Sequence, residues 1–341
     1  MSSTEQLNHR QWPSDRRGVY EVWYLTWNDA ATGQGFWLRY IAESPHVGEP
    51  RGELWFARFD PKAPNCTFGV HRAFAPPAAT TAPFSVTIAG ATLAHDGAKG
   101  SLDGDGHSIT WDLRWQPAER ELRLLPDAMY GHGAARERAE TLVLSPNPRV
   151  LMSGRVVVDG EAIDFDRAVL GQTHLWGTKH AYSWTWGRCA EWVGAPGAVL
   201  ELLGVRLKRG PVSLPTLFLL ALDLDGEQYR MNQFRHVIRN RASWGGSRVE
   251  FEAIGGGIKI AGELACAPAR MVSAPYLDPD GTRVFCANTE IGDARIAISK
   301  RAGLFWREIR ALEGRGTAHF EIGGRTRDPA VEREHVGVDL R

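Results

Sequence analysis

The segment Gly171-Gln-Thr-His-Leu-Trp-Gly-Thr-Lys-His-Ala-Tyr-Ser-Trp-Thr-Trp-Gly-Arg-Cys189 concentrates the side chains of this sequence best suited to move protons. Extended from His180 onward, it puts His180, Tyr182, Trp184, Trp186 and Arg188 on one face. Ala181, Ser183, Thr185, Gly187 and Cys189 fall on the other, because side chains alternate across a strand. The bulky face suits the wall of a cavity: rings supply apolar surface, and their N–H, O–H and imidazole tips orient a ligand. His174 and Trp176 lie just before it on a loop hinged at Gly177, so His174 and His180, with Lys179, offer acid/base chemistry near one opening. The competing reading is a tryptophan-rich core in which His180 is a satisfied interior histidine.

Other chemistries find less support. His174 and His180 stand six residues apart, feasible for two metal ligands, but Glu191 and Asp166 are the only nearby carboxylates, so no metal is expected. Cys189 falls opposite His180 and reads as an inert thiol. Gly255-Gly256-Gly257 and Gly33-Gln34-Gly35 read as turns with no helix behind them to hold a phosphate, so no nucleotide cofactor is implied. The cue of an α/β-hydrolase, G-x-S-x-G, does not occur.

The elements that must position these groups are strands. Ten segments with a period of two, beginning with Val19 to Asn28 and ending with Thr282 to Asn288, are separated by turns such as Asp159-Gly160, Asp225-Gly226 and Asp280-Gly281. Helix competes only at Ala134 to Leu144 and around Lys300 to Ile309. Meanders of this length escape the liability of open edges by closing into barrels. The expected fold is therefore all-β, two packed antiparallel barrels with minor helix: an N-terminal extension over 1–17 and barrels over 18–165 and 166–341. A chain of 341 residues with 43% hydrophobic content can bury such cores.

Lys+Arg 40 balances Asp+Glu 40, so the overall charge shows no footprint for nucleic acid or an anionic membrane. The most apolar stretch, Leu214 to Leu222, is broken by Pro215 and too short to span a bilayer. The first residues lack the apolar core of a secretory signal, and the four cysteines show no CxxC, which points to reduced thiols in a cytoplasm. Oligomeric state is left open.

Glu21-Val-Trp-Tyr-Leu-Thr-Trp-Asn-Asp29, Gly35-Phe-Trp-Leu-Arg-Tyr40, Gly52-Glu-Leu-Trp-Phe-Ala57, Ile109-Thr-Trp-Asp-Leu113, His174-Leu-Trp-Gly177 and His180-Ala-x-x-Trp-x-Trp186 together resemble the tandem lipocalin-like (calycin) proteins. That group includes tocopherol cyclases, carotenoid hydratases of the hydroxyneurosporene synthase type, AttH-like proteins and fungal Diels-Alderases. The resemblance runs from about Gly18 to Phe320. It implies two calycin-like barrels with an apolar ligand in or between them, and ring closure, water addition or pericyclic cyclisation without a redox cofactor. Carotenoid hydratases carry an acidic residue beside the histidine before Trp-Gly, whereas this chain has Thr173.

Protonating an alkene takes a strong acid in a dry pocket, and aromatic faces stabilise the resulting cation. The acid is an imidazolium at His174 or His180, or a carboxyl raised by burial, with Glu53 and Glu290 as candidates. Trp55 and Asn288, close to those carboxyls in sequence, join Trp176, Tyr182, Trp184, Trp186 and Arg188 as substrate-binding candidates. The first functional expectation is a cofactor-independent cyclase, hydratase-lyase or isomerase acting on an apolar, terpenoid- or polyketide-like molecule. The alternative is a carrier for such a molecule.

Overall fold

The computed structural model describes residues 3–331 apart from 64, 65, 132, 133, 138 and 211. The first half holds β1 (Val19–Asn28), β2 (Gly35–Ser44), β3 (Arg51–Phe59), β4 (Phe68–Phe74), β5 (Ala78–Thr81), β6 (Phe84–Ile88), β7 (Ala91–Ala94), β8 (Gly97–Gly104), β9 (His107–Trp115), β10 (Leu122–Arg123), β11 (Thr141–Val158) and β12 (Glu161–Gly177). The second holds β13 (Ser183–Cys189), β14 (Val199–Arg206), β15 (Lys208–Arg209), β16 (Val212–Ser213), β17 (Leu217–Leu224), β18 (Glu227–Met231), β19 (Arg241–Gly245), β20 (Arg248–Gly255), β21 (Ile258–Ala265), β22 (Val272–Leu277), β23 (Arg283–Ala302) and β24 (Phe305–Gly324).

Two large antiparallel sheets result, as the alternation and turn chemistry predict. The first runs β4-β3-β2-β1-β12-β11-β9-β8-β7-β6-β5, and the second β18-β17-β14-β13-β24-β23-β21-β20-β19. In each, the chain returns to its own first strand, β12 pairing β1 and β24 pairing β13. Each sheet curls around a separate core, one built on Trp23, Trp27, Phe36, Phe56 and Trp111, the other on Leu200, Phe218, Val249, Ile260 and Phe320. This is consistent with two packed barrels.

Two local expectations change. The division at 165/166 falls inside β12, which the Asp159-Gly160 turn joins to β11 and which stays paired with β1 as far as Tyr20↔Gly177. The change of sheet falls between Gly177 and Ser183, and we take the first unit to extend to Gly177. Among the described residues of the first alternative helix forms over Ala134–Glu137 alone, while Lys300 to Ile309 is the tip of a hairpin. There Ala302 pairs with Phe305, and Gly303, at φ +62°, supplies the positive dihedral that the tight turn demands.

All ten residues of β1 are buried. Trp23, Leu25 and Trp27 fill the first barrel, while Tyr20, Val22 and Tyr24 face the second unit together with Trp37, Ile41, Trp55 and Phe59. Opposite them stand Trp184, Trp186, Val272, Ala274, Tyr276, Val284 and Cys286, so the two units share an aromatic seam.

Residues 3–11 pack across the mouth of the first barrel. The Trp23 indole donates to the carbonyl of Asn8 (2.9 Å), and Asn8 Oδ1 accepts from Gln172 (3.1 Å). Trp23→Ala removes a fully buried ring and that tether at once; we expect a loss of about 3–5 kcal/mol in urea unfolding and faster proteolysis within residues 3–11. Unchanged stability and cleavage would contradict this packing role.

Candidate functional site

The bulky stripe of β13 turns away from its own barrel. Trp184 and Trp186 belong to the seam, while Cys189 lies in the second core and burial pushes its thiol up to about 12, as suits an inert group. Backbone must come close for such large rings to fit. A Cβ on Gly323 would stand 2.1 Å from the Trp184 indole, and one on Gly171 2.1 Å from the Arg188 guanidinium, so a side chain at either position would have to displace the residue it meets.

At one end of the seam, His180 stacks on Tyr20 (centroids 5.1 Å apart), Trp184 (5.0 Å) and Tyr276 (5.7 Å). Its Nδ1–H donates to Oδ1 of the fully buried Asp278 (2.6 Å), which also accepts the His180 backbone N–H (3.0 Å). Arg325 holds the other Asp278 oxygen at 3.4 Å. With Nδ1 committed, the lone pair of the neutral ring lies on Nε2, which has no hydrogen-bond partner among the described residues. The side chain keeps 20% exposure, so this nitrogen belongs to an oriented imidazole within reach of solvent.

Mid-seam, the Arg39 guanidinium lies 3.9 Å over the Trp37 ring, donates to the Tyr276 hydroxyl (2.7 Å) and pairs with Glu321 (3.2 Å). Glu321 in turn accepts from the Trp184 indole (2.8 Å), tying the first unit to the second. Further along, Arg188 sits 3.8 Å from Glu201 and reaches Thr26 and the Pro148 carbonyl. Burial pushes the Glu201 carboxyl up to about 7, against the pull of Arg188 and the Ser145 hydroxyl.

Glu290 is a second enclosed carboxyl of this region. Burial raises it well above the usual carboxylate range, with Glu321 adding to the effect and Arg39 and Arg188 opposing it. His319 Nδ1 is 3.3 Å away, yet burial and Arg188 hold that imidazole neutral, and its Nε2 bonds Asn28 Oδ1 (2.6 Å). Glu290 Oε2, His319 Nδ1, Trp186 Nε1, Arg39 Nε and Arg188 Nε are buried without a hydrogen bond. So many orphaned polar atoms along one seam mark it as the place where a polar group or ordered water belongs.

Glu53 differs from the expectation of a raised carboxylic acid. Burial favours raising it, but the hydrogen bond and charge of His71, with Arg51, hold it down at about 2. Its oxygens accept from Trp55 (3.0 Å), Arg51 (2.7 Å) and His71 (3.1 Å). Glu53 is thus an anion in a full cradle, and Glu43 beside it takes up a proton instead, pushed to about 8 by burial and the Glu53 charge. Trp55 carries this cluster to the seam, its ring edge-on to Tyr276 at 5.5 Å.

His174 and His180 do not share an opening. His174 is fully buried on the first-barrel side, stacked on Trp23 (5.0 Å), donating from Nδ1 to the Leu7 carbonyl (2.6 Å) and meeting Glu21 with Nε2 (2.8 Å). Glu21 also accepts the Gln11 backbone N–H (2.7 Å), so His174 anchors the strap over residues 3–11. Trp176 packs nearby with Leu125 and Leu142. Tyr182 is 42% exposed beside Lys208. Asn288 donates to the Cys286 carbonyl (3.0 Å), on the strand that carries Glu290.

Sequence reasoning missed Asp278, Arg39, Tyr276, Glu321 and His319. Asp278 precedes Pro279-Asp280-Gly281 and reads as turn chemistry, while Arg39, Glu321 and His319 look like the polar positions of half-exposed strands.

The pattern of the tocopherol cyclase-like family matches residues 67–324. The chain belongs to the tocopherol cyclase-like family. An uncharacterized protein of Mycobacterium tuberculosis, found in strains CDC 1551 and H37Rv, is 29% identical over 317 residues, 92% of this chain and 89% of its own length. The crystal structure of a protein designated AttH from Nitrosomonas europaea superposes with a TM-score of 0.52 at 16% identity, over 96% of this chain and 97% of that one. It shares the fold. This tocopherol cyclase-like chain also has no described helix long and apolar enough to cross a membrane.

The two buried carboxyls predict opposite pH behaviour. Glu53, depressed in the fold, adds stability that is present above its unfolded value and lost as pH falls from about 4.5 to 2. Glu53→Gln is expected to cost about 2–4 kcal/mol at pH 7 and to flatten the acid limb of the stability curve. Glu290, raised in the fold, favours the native state below its unfolded value and loses that advantage as pH rises above about 4.5. Glu290→Gln should therefore leave stability at pH 8 unchanged or higher. Urea midpoints measured from pH 3 to 8 check both signs.

Proposed function

We propose that the chain is a cofactor-independent enzyme that takes an apolar, alkene-bearing molecule into the seam between its two β units and cyclises, hydrates or isomerises it by proton transfer. The observation that carries this reading is Glu290: a buried carboxyl with one oxygen free of hydrogen bonds, raised by burial well above the usual carboxylate range, on the strand whose Cys286 and Ile291 join the aromatic seam. Such a group is a proton donor at neutral pH. The family name, which denotes ring closure, supports the same chemistry.

In the proposed reaction, the Glu290 O–H bond breaks and its proton adds to one alkene carbon, leaving a carbocation on the other. The faces of Tyr24, Trp186 and Trp184 stabilise that cation, and the pairing of Arg39 with Glu321 and of Arg188 with Glu201 offsets the fixed positive charge nearby. A substrate hydroxyl or a water then forms the new C–O bond and gives up its proton. His180 Nε2, its ring aimed by Asp278, is the acceptor at the open end, and the proton returns to Glu290 through solvent in the next turnover. Loss of a proton from carbon instead of C–O bond formation makes the product an isomer.

A prenylated hydroquinone is the trial substrate, followed by mass spectrometry for the ring-closed isomer. We expect Glu290→Gln and His180→Gln each to lower turnover about a hundredfold or more. Ligand affinity, read from tryptophan quenching, should change less than about threefold in both variants, whereas Trp184→Ala should weaken it. Variants that turn over like the wild type would overturn the acid/base assignment. Binding with no turnover of any alkene by the wild type would leave a carrier.

A further inference from the structure

The long β23–β24 hairpin leaves the second barrel with an apolar tip. Leu304 is 89% exposed and Phe305 78%, two of the largest apolar exposures among the described residues, and Ile309 is 51% exposed. Phe305 and Arg307 alternate onto one face of β24, with Lys300 paired to Arg307 and Ala302 to Phe305, and a register shift follows at Ile309. A fold that buries ten of its thirteen tryptophans, four of them almost without solvent contact, has ample means to hide a leucine and a phenylalanine; here they stand at the outermost turn.

The charges around them are not compensated. Between Lys300 and Arg310 there are four cations, Lys300, Arg301, Arg307 and Arg310, against the single anion Glu308, in a chain whose formal charge sums to zero. None of the four forms an ion pair with a described residue. The next stretch of the same sheet behaves differently: Arg248 and Arg295 are matched by Glu263 (2.5 and 3.5 Å), and Arg295 again by Glu313 (3.6 Å). Arg301 is joined through its backbone to Gly257, and the side of Gly255 is covered by His236. His236 belongs to a one-turn helix whose flanks, Phe234 (57% exposed) and Ile238 (85%), sit beside Arg235 and Arg239. The same rim thus repeats the combination of exposed apolar side chains and free cations.

We propose that this rim docks the protein on an anionic lipid bilayer, the Leu304–Phe305 turn entering the acyl boundary while Lys300, Arg301, Arg307 and Arg310 meet the headgroups. Apolar side chains at a tip with basic residues behind them match the two layers of such a surface, and insertion by one turn lies on the membrane without crossing it. The overall neutrality of the chain conceals the patch, because a bilayer responds to charge within about one Debye length of its surface.

The test is flotation of the full chain with phosphatidylcholine vesicles and with vesicles containing about 30% phosphatidylglycerol. We expect binding to the anionic vesicles only, weakened about tenfold by Leu304→Ser/Phe305→Ser and about fivefold by each of Lys300→Glu and Arg307→Glu. Both sets of changes are at exposed positions, and an unchanged thermal midpoint confirms the fold. Binding that ignores the tip, or no binding to either vesicle, overturns the proposal. So does a concentration-dependent dimer abolished by the tip substitutions, since the turn would then be covered by a second copy. Because the probe is lipid alone, these outcomes do not depend on whether the seam is catalytic.

Discussion

The face-to-face packing of β1, β2 and β3 against the second sheet is the constraint on which the rest depends. A strand with a barrel interior on one side and another sheet on the other has no face left for solvent, so β1 buries every residue. Tyr20, Val22 and Tyr24 serve the seam while Trp23, Leu25 and Trp27 serve the core. Polar groups on these strands have therefore nowhere to go but inward, and each must find a partner or change its protonation state.

The seam shows both solutions. Arg39 remains charged because Glu321, the Tyr276 hydroxyl and the Trp37 face surround it. Glu53 remains charged because His71, Arg51 and Trp55 occupy its oxygens. Glu290 has no such cradle, so burial dominates and raises its carboxyl well above the usual carboxylate range. Two carboxyls that look alike in sequence, each on a strand near an aromatic or amide residue, end shifted in opposite directions.

The same packing separates the two histidines. His174 lies on the barrel side of β12 and holds down the strap over residues 3–11 through Leu7 and, by way of Glu21, through Gln11. His180 comes after the chain has left that sheet, in the short crossing between Gly177 and Ser183, and is captured at the seam by Asp278 and Arg325 of the second unit. Only the second arrangement leaves a ring nitrogen open.

Local chemistry alone determined the strands, their turns and the bulky and small faces of Ser183–Cys189, because side-chain alternation and positive-φ turns are properties of neighbouring residues. The aromatic stripe was legible for the same reason. What lay opposite the stripe was not: whether it lined a barrel or met another sheet depends on strands more than a hundred residues away, as in Trp184 with Tyr20 and Trp55. Nor did sequence tell Glu53 from Glu290, or make Asp278 more than a turn residue. Protonation and orientation are set by dielectric and by charges brought within a few ångströms, and only the tertiary structure decides those distances.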